Sequence, residues 1–285
     1  MKPFMTTRAL FGILTIGFVF AGQVQAQSFL TNGLVAYYPF NGNANDASEH
    51  GNNGIAQNVM YATDRFGMPS SAAQFSGQLG TNSTIDCPSL DSLPYLPATY
   101  SCWFRLDGYT IADGEVTTLV GRDQANSPQI EGAIVFVSSE HLGFSNKLTY
   151  TTSVPLNFNT FKPSTNRWYH CVLTIELDGF LSLFIDGSVY GTVKCSPSSL
   201  AGAVPLPFRI GASTFAAAST NTGAPRYCWQ GAIDDVRVYN RPLSVSEVQQ
   251  LFAYESMPPV TVQEVVKSSS SDLTQKPVPH KQRFA

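Results

Sequence analysis

GAIDDVRVYNRPLSVSEVQQLF, residues 231–252, joins a strand to a helix. In its first half, Ala232, Asp234, Val236 and Val238 alternate with Ile233, Asp235, Arg237 and Tyr239, so each set is assigned one face of a strand. The second half opens on Ser244 with Glu247 three residues on, the spacing of a capping box. Val245, Val248, Leu251 and Phe252 then line one helical face, which predicts a short helix packed on the edge of the domain after the last strand. A matching signature stands near the other end. GLVAYYPFNGNANDASEHGNNG, residues 33–54, reads as a strand followed by a turn-rich loop. Together the two stretches mark where one domain begins and closes.

Between them, runs rich in β-branched and aromatic residues recur, separated by Gly, Pro, Asn and Asp. Strands are expected at 34–40, 72–75, 100–106, 134–138, 168–176, 181–186, 188–194, 207–210 and 230–239. In the run YSCWFRL, Cys102, Phe104 and Leu106 share one face, and Ser101, Trp103 and Arg105 share the other. Leu177-Asp178-Gly179 and Asp186-Gly187 supply turn residues that tolerate positive φ, so 168–194 reads as an antiparallel meander of three strands. Enough apolar residues share a face for each sheet to cover a core, leaving one solvated side per sheet.

Residues 1–26 have the form of an export signal. Lys2 and Arg8 precede an uncharged apolar run at 9–21, and Val24 and Ala26 occupy the small-residue positions of a cleavage site. Removing these residues takes the formal net charge from −3 to −5. No apolar run after residue 26 is long enough to span a bilayer. The charged fraction is 13% and the ordered part carries no basic block, so nucleic acid is not an expected partner. The domain is expected over 27–256. Residues 257–285, with prolines and a serine run, read as a disordered tail. The five cysteines include no Cys-x-x-Cys zinc spacing. An oxidising compartment permits disulfides, and Cys102 with Cys228 is the first pairing considered. The odd count leaves at least one thiol unpaired or paired between chains.

LVAYYPFNGNANDAS, HGNNG, DRFGMPSSAAQFSG, YSCWFRL, RWYHCVLTIE, LSLFIDGSVYG, FRIGAS and WQGAIDDVRVYNRPLS follow one another between residues 34 and 244. In this order they resemble the laminin-G-like, concanavalin A-like lectin/glucanase superfamily, in its bacterial exported branch. The resemblance implies an all-β, two-sheet antiparallel jelly-roll sandwich with one short C-terminal helix. It also implies a possible structural calcium between the first loop and the closing strand, which transfers to Asp46 and Asp234. Hard oxygen ligands suit that ion. The alternative is that Asp46 staples its own turn and Asp234 takes part in backbone hydrogen bonding.

Hydrolases of this superfamily that cleave β-glucans carry a Glu-x-Asp-x-x-Glu strand, whose retaining pair of carboxyls stands about 5 Å apart. The sequence has no such element. Glu176-Leu177-Asp178 is the nearest fragment, and it falls in a tight turn. His170 lacks the Gln, Tyr and Lys companions of a lyase site. The chain is therefore read as non-catalytic. Trp103, Arg105, Asp235 and Arg237 would cluster if their strands are neighbours, and they are the candidate ligand-binding set, with Tyr227 and Trp229 just beyond. Residues 108–133 and 213–226 read as long loops suited to binding. The expected function is a secreted recognition module, extracellular, at the cell surface or periplasmic. Its partner is a glycan or a cell-surface or matrix protein. An adhesion role and an enzyme with an unfamiliar site are the rivals.

Overall fold

The computed structural model describes residues 28–77, 83–91, 93, 97–108, 116–123, 130–137, 141–147, 161–194, 208–212 and 229–259. In chain order the strands are β1 (Leu34–Tyr38), β2 (Ile55–Gln57), β3 (Met60–Ala62), β4 (Ala72–Ser76), β5 (Thr84–Asp86), β6 (Ala98–Leu106) and β7 (Val116–Asp123). They continue with β8 (Ile130–Val137), β9 (His141–Lys147), β10 (Trp168–Ile175), β11 (Phe180–Ile185), β12 (Ser188–Lys194), β13 (Phe208–Ile210) and β14 (Gln230–Tyr239). Helix α1 (Ser28–Thr31) precedes them and α2 (Val245–Glu255) follows. All pairings are antiparallel. One sheet runs β12-β11-β10-β6-β14-β4-β3, with β1 also on β14, and the other runs β2-β5-β13-β7-β8-β9. The all-β, two-sheet architecture expected of the sequence is the one observed.

The two ends of the domain meet directly. β1 lies on β14 with Leu34 opposite Tyr239 and Tyr38 opposite Val236. The β10–β11–β12 meander is as the turn residues predict. Asp186 and Gly187 both have positive φ, 48° and 74°, as a two-residue hairpin turn requires. α2 is capped as read: the Ser244 hydroxyl accepts from the Glu247 N–H, and the Glu247 carboxylate accepts from the Ser244 N–H at 2.8 Å.

Inner faces of the two sheets enclose the main core. Tyr100, Cys102, Phe104 and Leu106 of β6 enter it, with Tyr169, Cys171 and Leu173 of β10 and Phe208 and Ile210 of the opposite sheet. Cys102 faces Cys171 across the β6–β10 ladder, and both are free thiols, as is Cys87. The Cys102–Cys228 bridge considered above is therefore not made, and Cys228 itself lies outside the described residues. Burial pushes the Cys87 thiol up to about 12 and holds those of Cys102 and Cys171 above the ordinary thiol range, so none is a ready nucleophile.

Two expectations are corrected. First, the large sheet does not present a fully solvated outer face. Phe29 and Leu30 of α1 and Val248 and Leu251 of α2 form a second apolar cluster with Tyr37, Val172, Phe184 and Tyr239 on that face. α2 thus lies across the sheet rather than at its edge, and Val245 is left 48% exposed. Second, the simple alternation of β14 fails. Its register against β6 shifts between Asp234 and Arg237, and Asp235 has φ 45°. This bulge flips the parity: Ile233 and Val236 both enter the core, while Asp234 and Asp235 both leave it.

Residues 108–133, expected as a loop, contain β7 and the start of β8. β2, β3, β5 and β9 were likewise not anticipated; three of them are only three residues long. The candidate loop 213–226, the leader 1–26 and most of the tail lie outside the described residues. Among the described residues, no helix is long and apolar enough to cross a membrane.

Candidate functional site

The outer face of the large sheet carries two adjacent patches, one roofed and one open. The bulge of β14 sets the first. Because Asp234 and Asp235 emerge on the same side, one guanidinium can grip both. Arg65, from the turn between β3 and β4, donates from Nη1 to Asp234 Oδ2 and from Nη2 to Asp235 Oδ2, each at 2.6 Å. It also donates to the Glu255 carbonyl at the end of α2, at 2.8 Å, and stands 4.4 Å over the Trp103 ring. Burial alone would lower the Arg65 pKa, but Asp235 and Asp234 outweigh it and keep the group charged.

The Glu255 side chain continues the network. It accepts from Arg237 Nε and from Trp103 Nε1, both at 2.8 Å. Tyr37 donates its hydroxyl to Asp235 Oδ1 at 2.6 Å, and its ring lies 3.7 Å beneath the Arg237 guanidinium. Asp234, Asp235, Arg237, Glu255, His170 and Ser101 have no exposed surface. Burial pushes the Glu255 carboxyl up, against the pull of Arg237. Phe252 of α2 stacks on both Trp103 and His170, 5.8 and 5.7 Å between ring centres.

His170 Nε2 meets the Ser101 hydroxyl at 2.9 Å, and Glu255 lies further off, at 3.5 Å. Desolvation, reinforced by Arg65, lowers the His170 pKa to about 3, so the ring is neutral and is no ion-pair partner of Glu255. This has a pH consequence. The unfolded imidazole takes up a proton near 6.5 and the folded one does not, so unfolding is linked to proton uptake between about 3 and 6.5. The His170 contribution to stability is complete above about pH 6.5 and is lost progressively as pH falls toward 3. Thermal melts are expected to show a lower midpoint at pH 5 than at pH 7, and His170→Gln should flatten that slope.

Three of the four residues expected to bind ligand, Trp103, Asp235 and Arg237, are therefore brought together, but beneath α2 as a staple between helix and sheet. Fully buried ion pairs of this kind contact no solvent-borne ligand. Trp229 is also fully buried, edge-on to Phe104 within the main core, and Tyr227 lies outside the described residues. Glu176, Leu177 and Asp178 form an exposed turn, as their sequence suggests. The two aspartates assigned to calcium do not fit that ion. Asp46 spends its oxygens on the N–H groups of Tyr37, Ser48 and Asn52 and on the Ser48 hydroxyl. Asp234 is paired with Arg65. These partners are donors and a cation, so Asp46 acts as the turn staple and Asp234 as half of a buried clamp.

The open patch lies one row further along the same face. In register across five strands stand Met60 (β3), Gln74 (β4), Ala232 (β14), Arg105 (β6) and Trp168 (β10). Ala232 is small enough for the long side chains on either side to meet above it. Arg105 Nη2 donates to Gln74 Oε1 at 3.3 Å. Asp107 completes a ring. It accepts from Arg105 Nε at 2.6 Å, from Arg105 Nη2 at 3.1 Å and from Gln74 Nε2 at 3.0 Å. The Arg105 guanidinium carbon is 5.4 Å from the Trp168 ring. Arg105 and Asp107 are 23% and 27% exposed, and Met60 is 69% exposed. Of the sequence candidates, only Arg105 belongs to this row. The others were missed because they come from four separate segments and share no local motif; the visible signal was one outward-facing aromatic at the start of the meander.

The profile of the concanavalin A-like lectin/glucanases superfamily matches residues 79–249, and the chain belongs to that superfamily. Similar solved structures include the binding domain of Paraclostridial Mosquitocidal Protein 1, with 20% identity and a TM-score of 0.56 over 78% of this chain and 52% of that one. A structure of botulinum neurotoxin type C, whose cell entry depends upon interaction with two ganglioside molecules, aligns with 13% identity and a TM-score of 0.58 over 82% and 54%. Trypanosoma rangeli sialidase in complex with sialic acid aligns with 17% identity and a TM-score of 0.53 over 79% and 33%. The chain spans about half the length of the toxin chains and a third of the sialidase. At these identities the likeness is one of fold. No curated protein matches the sequence.

Proposed function

We propose that this chain is an exported, non-catalytic recognition module that binds glycan on the open row of the large sheet. The observation that carries the reading is the row itself. An aromatic ring at one end, followed by polar groups that hold one another by hydrogen bonds, is the chemistry that engages the apolar face and the hydroxyls of a sugar. Asp107 is the carboxylate of this row, and it is held by Arg105 and Gln74. The acids of the neighbouring patch are locked to arginines under α2. Most retaining or inverting glycoside hydrolases place two carboxyls across an open cleft, and among the described residues neither patch offers that arrangement. The Paraclostridial Mosquitocidal Protein 1 structure of similar fold is a binding domain, which agrees with recognition. The leader supports export.

Binding on an oligosaccharide array, followed by titration of the best ligand, tests the reading. Trp168→Ala should weaken binding by about tenfold or more, the scale of losing one aromatic anchor. Its thermal midpoint should stay near that of the parent, since Trp168 is part-exposed at a strand end. An intact signal in Trp168→Ala, or reducing ends released from the bound glycan, would sink the proposal.

A further inference from the structure

We propose that the ligand of the open row is an uncharged oligosaccharide lying across the strands, and that Asp107 sets the preference against acidic sugars. The inference rests on the reading that this row binds glycan. Two features carry it: charge balance and length.

Arg105 brings one positive charge and Asp107 one negative, joined through both carboxylate oxygens, with Gln74 bridging the two. The ring is neutral as a unit. An acidic sugar seeking Arg105 would have to displace Asp107 from a two-point pair, or else set its own carboxylate against that of Asp107. A hydroxyl faces no such choice. It both donates and accepts, and an ionised carboxylate offers about four lone-pair sites. Arg105 and Gln74 take three of these. A sugar hydroxyl can therefore join the ring without opening it. This is the pattern for a neutral polyol, not for an anion held by an unopposed arginine.

The row crosses five strands, and four inter-strand steps of about 4.8 Å make it about 19 Å long. Trp168 stands at one end and the exposed Met60 at the other, so apolar contacts bracket the polar centre. A monosaccharide would cover only the Trp168–Arg105 part. An oligosaccharide is needed to reach Gln74 and Met60.

Calorimetric titration of the full chain with neutral and uronate-bearing tetrasaccharides, and with the corresponding neutral monosaccharide, tests both parts. The parent protein is expected to bind the neutral tetrasaccharide about tenfold or more tightly than either alternative, with little dependence on added salt. Asp107→Asn frees the Arg105 charge. It should weaken the neutral ligand and tighten the uronate-bearing one, and that gain should be screened by salt. A parent that prefers the acidic chain, with binding still abolished by Trp168→Ala, overturns the neutrality while leaving the row as the glycan site. Equal affinity for mono- and tetrasaccharide overturns the crossing geometry. Binding that Trp168→Ala does not touch removes the row itself, and the inference with it.

Discussion

Replacing Arg65 with methionine is expected to cost about 3–5 kcal/mol of folding stability, the scale measured when one partner of a buried ion pair is removed. Methionine matches the length of the arginine stem and fills part of its space, although the guanidinium 4.4 Å over the Trp103 ring goes with the charge. What is lost is the guanidinium that joins Asp234, Asp235 and the carbonyl of Glu255. Both aspartates lack solvent contact, so water does not replace the buried counter-charge that is removed. Arg65→Lys should fall between parent and methionine, because an ammonium is a point charge that cannot grip two carboxylates in a plane. Urea unfolding monitored by tryptophan fluorescence gives the free energies. Adding Asp234→Asn and Asp235→Asn to Arg65→Met should recover part of the loss, since two buried negative charges are removed along with their counter-charge. A methionine variant within about 0.5 kcal/mol of the parent, the range of neutral surface changes, would contradict the clamp.

Gly231→Ala is the second large effect. Gly231 has φ +150° and sits where β14 meets β6 opposite Leu106. A Cβ there would stand 1.9 Å from the Arg105 carbonyl oxygen. A backbone carbonyl in a ladder cannot swing aside as a side-chain tip can, so relief requires the two strands to part. The expected loss is about 3 kcal/mol or more, the upper end for overpacking. Gly42→Ala is the matched control. Its φ is +75°, but nothing lies within 4 Å of the added methyl, so it isolates the conformational penalty of about 1 kcal/mol. Similar losses in the two variants would mean that β14 yields at Gly231. The same substitution should also weaken glycan binding, because Ala232 and Arg105 of the open row flank the clash.

Where the sequence could be read, the reading was local. Asp186-Gly187 defined a hairpin because two adjacent residues tolerate positive φ, and Ser244 with Glu247 defined a helix start because the cap closes within one turn. The alternation in 98–106 held throughout, with Cys102, Phe104 and Leu106 inward and Trp103 and Arg105 outward. The same rule failed in β14. A bulge is specified by the register of the neighbouring strand, and nothing in Ile-Asp-Asp-Val announces which pairing will slip. The three-residue strands β2, β3 and β5 were missed for a related reason: they are too short to show a period, and exist because longer neighbours pair with them.

The candidate site divides in the same way. Arg105 was visible as an outward polar residue beside an outward tryptophan. That Trp103 is roofed while Trp168 is part-exposed depends on α2 lying across the sheet, and the apolar stripe of the helix says only that it packs, not where. Gln74, Asp107 and Trp168 become neighbours through strand pairings whose partners, Arg105 with Trp168, Arg105 with Ala232 and Gln74 with Ala232, lie far apart in the chain. The amino-acid sequence alone determined the β-rich pattern, the meander, the capped helix and the family, because each is written in short-range periodicity or ordered motifs. The tertiary structure alone decided which acids are buried in pairs and which polar groups share the open row. Burial and cross-strand register are properties of segments brought together from afar, and a one-residue slip in either reverses which face a side chain occupies.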